Sequence, residues 1–251
     1  KKKSDVTNLR KQLILWSSPK SRIVESYHSL RTNIAFNINR DKKKTLIFAS
    51  SGPAEGKTGC IVNFALSYAE TGMRVALVES DLRRPSIHKI FGLDKENGLS
   101  EILLGSISWE DVLKGTPDFL MSGLKLDKIV NLPSIENLKI ITCGRTQPNP
   151  TEIINSPKMD SLISELSRNF DLVLFDCPPV LLFADATILA TKIDATVLVY
   201  RAGKTSRIAL KRAKTQLDNL KANVMGIVLN DIKVGMSPSY GADYYSSRYY
   251  K

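Results

Sequence analysis

At 251 residues, with 43% hydrophobic and 24% charged residues, the chain can build one substantial α/β domain with a real core. No apolar run approaches the roughly 18 residues that cross a bilayer, and Lys1-Lys2-Lys3-Ser4-Asp5 has no apolar stretch behind it, so neither a membrane span nor a signal peptide is expected. The net charge of +11 suggests an acidic partner (nucleotide, nucleic acid or anionic membrane) or simply a solvated basic surface, and Cys60, Cys143 and Cys177 lack metal-ligand spacing and suit a reducing cytoplasm.

Residues 1–40 read as a helical flanking segment, clearest from Glu25 to Asn39. Thr45–Ala49 is a short buried-type strand, followed at once by a glycine-containing turn and then a helix over 59–71, with Ile61, Phe64, Ala65 and Tyr68 at helical spacing and Gly72 as its stop. A strand over 74–79 comes next, and 138–142 is a third. Ser156 and Pro157 open a helix that runs to about Asn169, as N-cap and first helical position. The strongly apolar strand 171–176 is stopped by Pro178-Pro179. Strands 195–200 and 224–229 complete the set, with a basic amphipathic helix over 205–220 between them. Apolar runs alternating with helices specify a mostly parallel central sheet with helices on both faces. Residues 41–235 form that domain, and 236–251 lack periodicity and read as a flexible tail.

Ser51-Gly52-Pro53-Ala54-Glu55-Gly56-Lys57-Thr58 lies between a strand and a helix. A phosphate site needs inward backbone N–H groups, glycine at close approach and a helix N-terminus behind them. Gly52 to Gly59 therefore form the candidate nucleotide cradle, with Lys57 reaching the β/γ-phosphates and Thr58 on Mg²⁺. The first position is Ser51 rather than the motif's glycine. Asp176 ends the apolar strand Leu172-Val173-Leu174-Phe175, at the sheet edge where open α/β folds bind ligands, and matches a Walker B acid.

Val78-Glu79-Ser80-Asp81-Leu82-Arg83-Arg84-Pro85 resembles the Walker A′ motif of the bacterial tyrosine kinases that regulate capsule and exopolysaccharide synthesis. Further matches are Glu25-Ser26-Tyr27-His28-Ser29-Leu30-Arg31-Thr32-Asn33, Pro148-Asn149-Pro150-Thr151-Glu152, Asp176-Cys177-Pro178-Pro179 and Gly226-Ile227-Val228-Leu229-Asn230. The resemblance spans about residues 20–251. It implies a P-loop fold similar to that of septum-site and partition ATPases, with ATP as donor and tyrosine as acceptor. Lys57 then stabilises the transferring phosphate, Thr58, Asp81 and Asp176 hold Mg²⁺, Asp81 accepts the phenolic proton, Glu79 belongs to the catalytic motif, and Asn230 sits by the adenine. Five of the eight tyrosines (Tyr240, Tyr244, Tyr245, Tyr249, Tyr250) cluster in the tail and are the implied phosphoacceptors. The tail is short, so transfer in trans within a ring of subunits is expected. Partners implied are a membrane-anchored activator's cytoplasmic segment and other tyrosine-bearing proteins, at the inner face of the membrane, with no nucleic acid.

Three positions depart from the family pattern. Glu79 replaces the usual Asp, moving the carboxylate by about 1.5 Å. Ala54 stands where glycine is commoner, and the helix motif for subunit contact reads Glu25, His28, Arg31 with histidine in place of arginine. Histidine there would make that contact pH-sensitive. A rival is a partition- or septum-site-type ATPase, whose second P-loop lysine would fall at Gly52; a weakly catalytic nucleotide-binding scaffold is the third reading.

Overall fold

The computed structural model describes residues 12–41, 44–122 and 136–232, so the expected tail 236–251 and its five tyrosines lie outside the described residues. The chain begins with α1 (Ile14–Ser17) and α2 (Arg22–Asp41), then β1 (Thr45–Ser50), α3 (Lys57–Ala69) and β2 (Val75–Glu79). Short helices follow: α4 (Ile87–Phe91), α5 (Leu99–Leu104), α6 (Trp109–Val112) and α7 (Thr116–Met121). After β3 (Leu138–Ile141) come α8 (Pro150–Ile154), α9 (Pro157–Asn169) and β4 (Leu172–Asp176). The described chain closes with α10 (Ala184–Lys192), β5 (Ala195–Arg201), α11 (Arg207–Asn219) and β6 (Val224–Asn230).

The six strands form one sheet in the order β3-β2-β4-β1-β5-β6, and every pairing is parallel. β1, β2 and β4 are buried along their whole length, which is why they read as unbroken apolar runs rather than as alternation. Their side chains still divide by parity. Leu46, Phe48, Leu172 and Leu174 join the core on one face, with α3, α4 and α7. Ile47, Ala49, Val173 and Phe175 join the core on the other, with α5, α9, α10 and α11. Register aligns Phe48 and Glu79 each with Asp176, so three strands present their carboxyl ends side by side.

The N-terminal segment is packed into the first of these cores. Leu13, Leu15 and Trp16 are buried there together with Val24, Ile34 and Ile38 of α2. Trp16 meets Phe91 and Phe119 edge-on, at centroid distances of 5.7 and 6.1 Å. The segment is fixed to α3 by one side chain: Asn63 Oδ1 accepts from Ile14 N (2.8 Å) and Leu15 N (3.3 Å), while Nδ2 donates to Gln12 O (2.6 Å) and Gly59 O (2.8 Å).

Element boundaries moved where turn geometry intervened. The P-loop helix starts at Lys57, two residues before the expected Gly59, because Gly56 takes φ +89° and its carbonyl already accepts from Cys60 N (2.9 Å). Ser156 occupies the N-cap position of α9, but its hydroxyl donates to Ile153 O (2.7 Å) instead of capping the helix. Ser206 does cap α11, accepting from Ile208 N.

Candidate active site

β1 delivers the chain into a loop that is braced by its own side chains. Ser50 Oγ donates to Gly52 O (2.8 Å), and Glu55 Oε1 accepts from Ser51 Oγ (2.6 Å) and from Gly52 N. Two loop residues take left-handed backbone, Gly56 and Ala54 (φ +58°). For Ala54 that conformation carries strain which glycine would not have. From outside the loop, Arg201 Nη1 donates to Ala54 O (3.0 Å) and Asn230 Nδ2 to Glu55 O (2.9 Å).

At the start of α3, Lys57 Nζ reaches both acids that the adjacent strands present. It lies 3.1 Å from Asp176 Oδ1 and 3.3 Å from Asp81 Oδ2. Thr58 Oγ1 donates to the other oxygen of Asp176 at 2.8 Å. Asp81 turns its second oxygen to Arg84 N (3.0 Å), which holds the loop after β2 in place. Burial alone would lower the Lys57 pKa, but Asp176 and then Asp81 outweigh it and hold it above the ordinary lysine value. Burial pushes the Asp176 carboxyl up to about 6 against the pull of Lys57, and the neighbouring Asp81 adds to the rise. Thr58, Asp81 and Asp176 are hard oxygen donors on one edge, a set that suits Mg²⁺. The Lys57 ammonium beside them suits the phosphates that come with it.

Comparison with known proteins agrees with this geometry. A family model described as ParA, NUBPL iron-transfer P-loop NTPase, matches residues 41–245. Tyrosine-protein kinase YwqD of Bacillus subtilis is 32% identical over 247 residues, covering 98% of this chain and 96% of the relative. The chain belongs to the ParA-type P-loop NTPases and, within them, to the bacterial tyrosine kinases. A putative tyrosine-protein kinase of Staphylococcus aureus, CapB, is likewise 32% identical, covering 96% of each chain. Among solved structures, the kinase domain of the Escherichia coli tyrosine kinase ETK is similar at a TM-score of 0.79 and 25% identity, covering 91% of this chain and 83% of that one.

The remaining residues expected at the kinase site fall into separate places. Glu79 is fully buried and does not join the Lys57 cluster. Its Oε1 accepts from the backbone N–H groups of Ile87 and His88, and its Oε2 from Cys143 N (3.1 Å) and His88 Nδ1 (3.0 Å). The extra methylene lets the carboxylate bracket β2, α4 and the loop after β3. Asn230 touches the P-loop backbone. On α2, His28 Nε2 lies 3.3 Å from Glu70 Oε2 and 3.7 Å (Nδ1) from Glu25, and Arg31 Nη1 donates to Ser67 O, so two of the three expected contact residues are engaged with α3 and its C-cap residue in their own chain.

One constellation was not foreseen from the residues. Arg83 donates through Nε to Asp185 Oδ2 (2.7 Å) and through Nη2 to Asp185 Oδ1 (3.1 Å) and Thr151 Oγ1 (2.9 Å), with its guanidinium 4.4 Å from the Phe183 ring centre. Thr151 Oγ1 in turn donates to Asp185 Oδ1 (2.6 Å). Burial alone would raise the Asp185 carboxyl, yet the Arg83 and Thr151 hydrogen bonds hold it below the ordinary carboxylate range. Arg83 and Thr151 stand in quoted motifs, but Asp185, 102 positions from Arg83, carries no such signal.

Proposed function

We propose that this protein transfers the γ-phosphoryl group of Mg-ATP to tyrosine, first to Tyr240, Tyr244, Tyr245, Tyr249 and Tyr250 of a neighbouring copy's tail, within a ring of subunits. What supports the reading is the convergence of Asp81 and Asp176 on Lys57, with Thr58 beside them, in a chain of the bacterial tyrosine kinase family. Phosphoryl transfer asks for alignment and charge neutralisation more than covalent chemistry. Lys57 meets the charge on the transferring phosphate, and the P-loop N–H groups align the chain of phosphates. Thr58, Asp81 and Asp176 would hold Mg²⁺, which neutralises phosphate charge when bound. The tyrosine oxygen bonds to the γ-phosphorus as the bond to ADP breaks, and the phenolic proton passes to Asp81.

Gly52 favours this reading over a partition-type ATPase, since that position carries no second lysine and its N–H is committed to Glu55. The remaining assignments are a membrane-anchored activator that completes the kinase, a place at the inner face of the membrane, and control of capsular or exopolysaccharide synthesis. The test is incubation of the full chain with Mg-ATP and activator fragment, followed by phosphotyrosine detection, beside Lys57→Met and a chain ending at Ser239. Signal in the intact chain alone is expected. ATP turnover without phosphotyrosine, with activator present, would make the protein an ATPase.

A further inference from the structure

Asp185, the second residue of α10, is 1% exposed and lies outside the Lys57 cluster. Its carboxylate joins separate segments of the chain: Arg83 reaches it from the loop after β2, and Thr151 from the start of α8. Arg83 Nη2 also donates to Thr151 Oγ1, so the three side chains close a ring of hydrogen bonds, with Phe183 against the guanidinium. Net stability is a weak account of such a pair, because desolvation offsets most of the attraction. What two parallel bonds to a planar guanidinium do fix is geometry.

The geometry in question is that of the loop carrying Asp81. Between Ser80 and Ser86 the chain forms neither helix nor strand. Leu82, 5% exposed, roots the near half of this loop in the core. Beyond it, Arg84 N donates to Asp81 Oδ1 (3.0 Å), and that bond leaves Oδ2 facing Lys57 Nζ (3.3 Å). The direction of Arg84 N is set by the peptide that joins it to Arg83, and Arg83 is the residue clamped to Asp185. From Asp185 to the Asp81 carboxylate the path is therefore one side chain and one peptide long.

We infer that Asp185 is a positioning residue for phosphoryl transfer: through Arg83 it fixes the peptide that orients Asp81. This rests on the kinase reading above, in which Asp81 is a magnesium ligand and takes the phenolic proton. Thr151 locks the arrangement by donating to Asp185 Oδ1, so the carboxylate cannot turn away from the guanidinium. With the strut cut, Arg84 N is free to move and Asp81 loses the bond that aims it. A misplacement of about 1 Å at such a group costs up to about a hundredfold in rate.

The experiment uses the full chain with activator fragment and follows tyrosine transfer from radiolabelled Mg-ATP. Asp185→Asn should lower kcat by about tenfold to a hundredfold. Arg83→Gln, which cuts the same strut from its solvent-exposed end, should do likewise. Placed on Asp81→Asn, Asp185→Asn should cost nothing further, because its effect runs through that carboxylate. A role confined to stability would cost the same on both backgrounds. Hydrogen exchange gives a readout free of catalysis, and decides the matter where the double variant is too slow to follow. The Arg84 amide should lose protection in both strut variants while the amides of β2 and β4 keep theirs. An unchanged kcat in Asp185→Asn, equal losses on the two backgrounds, or an Arg84 amide that stays protected would overturn the inference and leave the kinase standing. Full-rate transfer in Asp81→Asn alone would instead overturn the role given to Asp81, and this inference with it.

Discussion

Asn63→Ala tests how firmly the N-terminal segment is fixed to the P-loop helix. Asn63 is 1% exposed, and its amide makes three hydrogen bonds to residues 12–15 and a fourth to Gly59 O. The substitution removes the bonds to Ile14 N and Gln12 O, each of which keeps the other as a partner (Ile14 N to Gln12 O, 2.9 Å). It leaves Leu15 N with no acceptor in a buried setting. Two lost bonds at about 1 kcal/mol each and one orphaned donor at about 1–2 kcal/mol give a destabilisation of about 3–4 kcal/mol. Urea unfolding measures the total, and amide hydrogen exchange at Ile14 and Leu15 locates it. Asn63→Asp is a second probe, because it keeps the acceptor oxygen but turns a carboxylate toward Gln12 O and Gly59 O. A loss under about 1 kcal/mol in Asn63→Ala, or amides that stay protected, would refute the reasoning.

Three further outcomes follow from the same geometry. Glu79→Asp, which restores the commoner acid, should destabilise this chain by about 1–3 kcal/mol in urea, because the shorter side chain cannot reach His88 and Cys143 together; unchanged stability would mean the bracket is not used. For Asp185, a folded pKa below the unfolded value of about 3.9 means that its pairing stabilises above that pH and fades as pH falls through the lower folded value. The gap in melting temperature between the native chain and Asp185→Asn should therefore narrow below about pH 4, and a gap constant down to pH 3 or so would contradict it. Burial pushes Cys60 up to about 11, Cys143 up to about 12 and Cys177 well above its usual value. At about pH 8 iodoacetamide should leave all three unlabelled in the folded protein and modify all three after denaturation, as read by mass spectrometry.

β1, β2 and β4 were legible because parallel strands buried on both faces appear as unbroken apolar runs, β6 because it is apolar even at the partly exposed sheet edge, and the P-loop because its glycines and lysine sit in one short segment. The helices between Ile87 and Met121 were not. Each has only four to six residues, too few for a 3.6-residue period to declare itself. α10 escaped for a related reason: its apolar residues are not confined to one stripe, and Asp185 and Thr187 are buried with them. The Lys57–Asp81–Asp176 cluster could be anticipated from motif residue types. What the sequence did not disclose is which acid turns which way. Glu79 and Asp81 lie two positions apart on the way out of β2, and only the backbone after Glu79 decides that one faces His88 and the other Lys57.

The contact between Gly56 and Asn230 has a practical consequence. A Cβ on Gly56 would stand 2.0 Å from Asn230 Nδ2, so a side chain there would have to displace Asn230 as well as strain the left-handed backbone. Asn230 ends β6, and the described chain stops two residues later at Ile232, which is 52% exposed. A fluorophore on Ile232→Cys would thus sit two residues from the Asn230 side chain that touches the phosphate loop, in the groove that Ala54 and Gly56 also line. The three native thiols are buried, leaving the introduced one as the reactive site. Nucleotide arrival and departure could then be followed in real time in an otherwise native background.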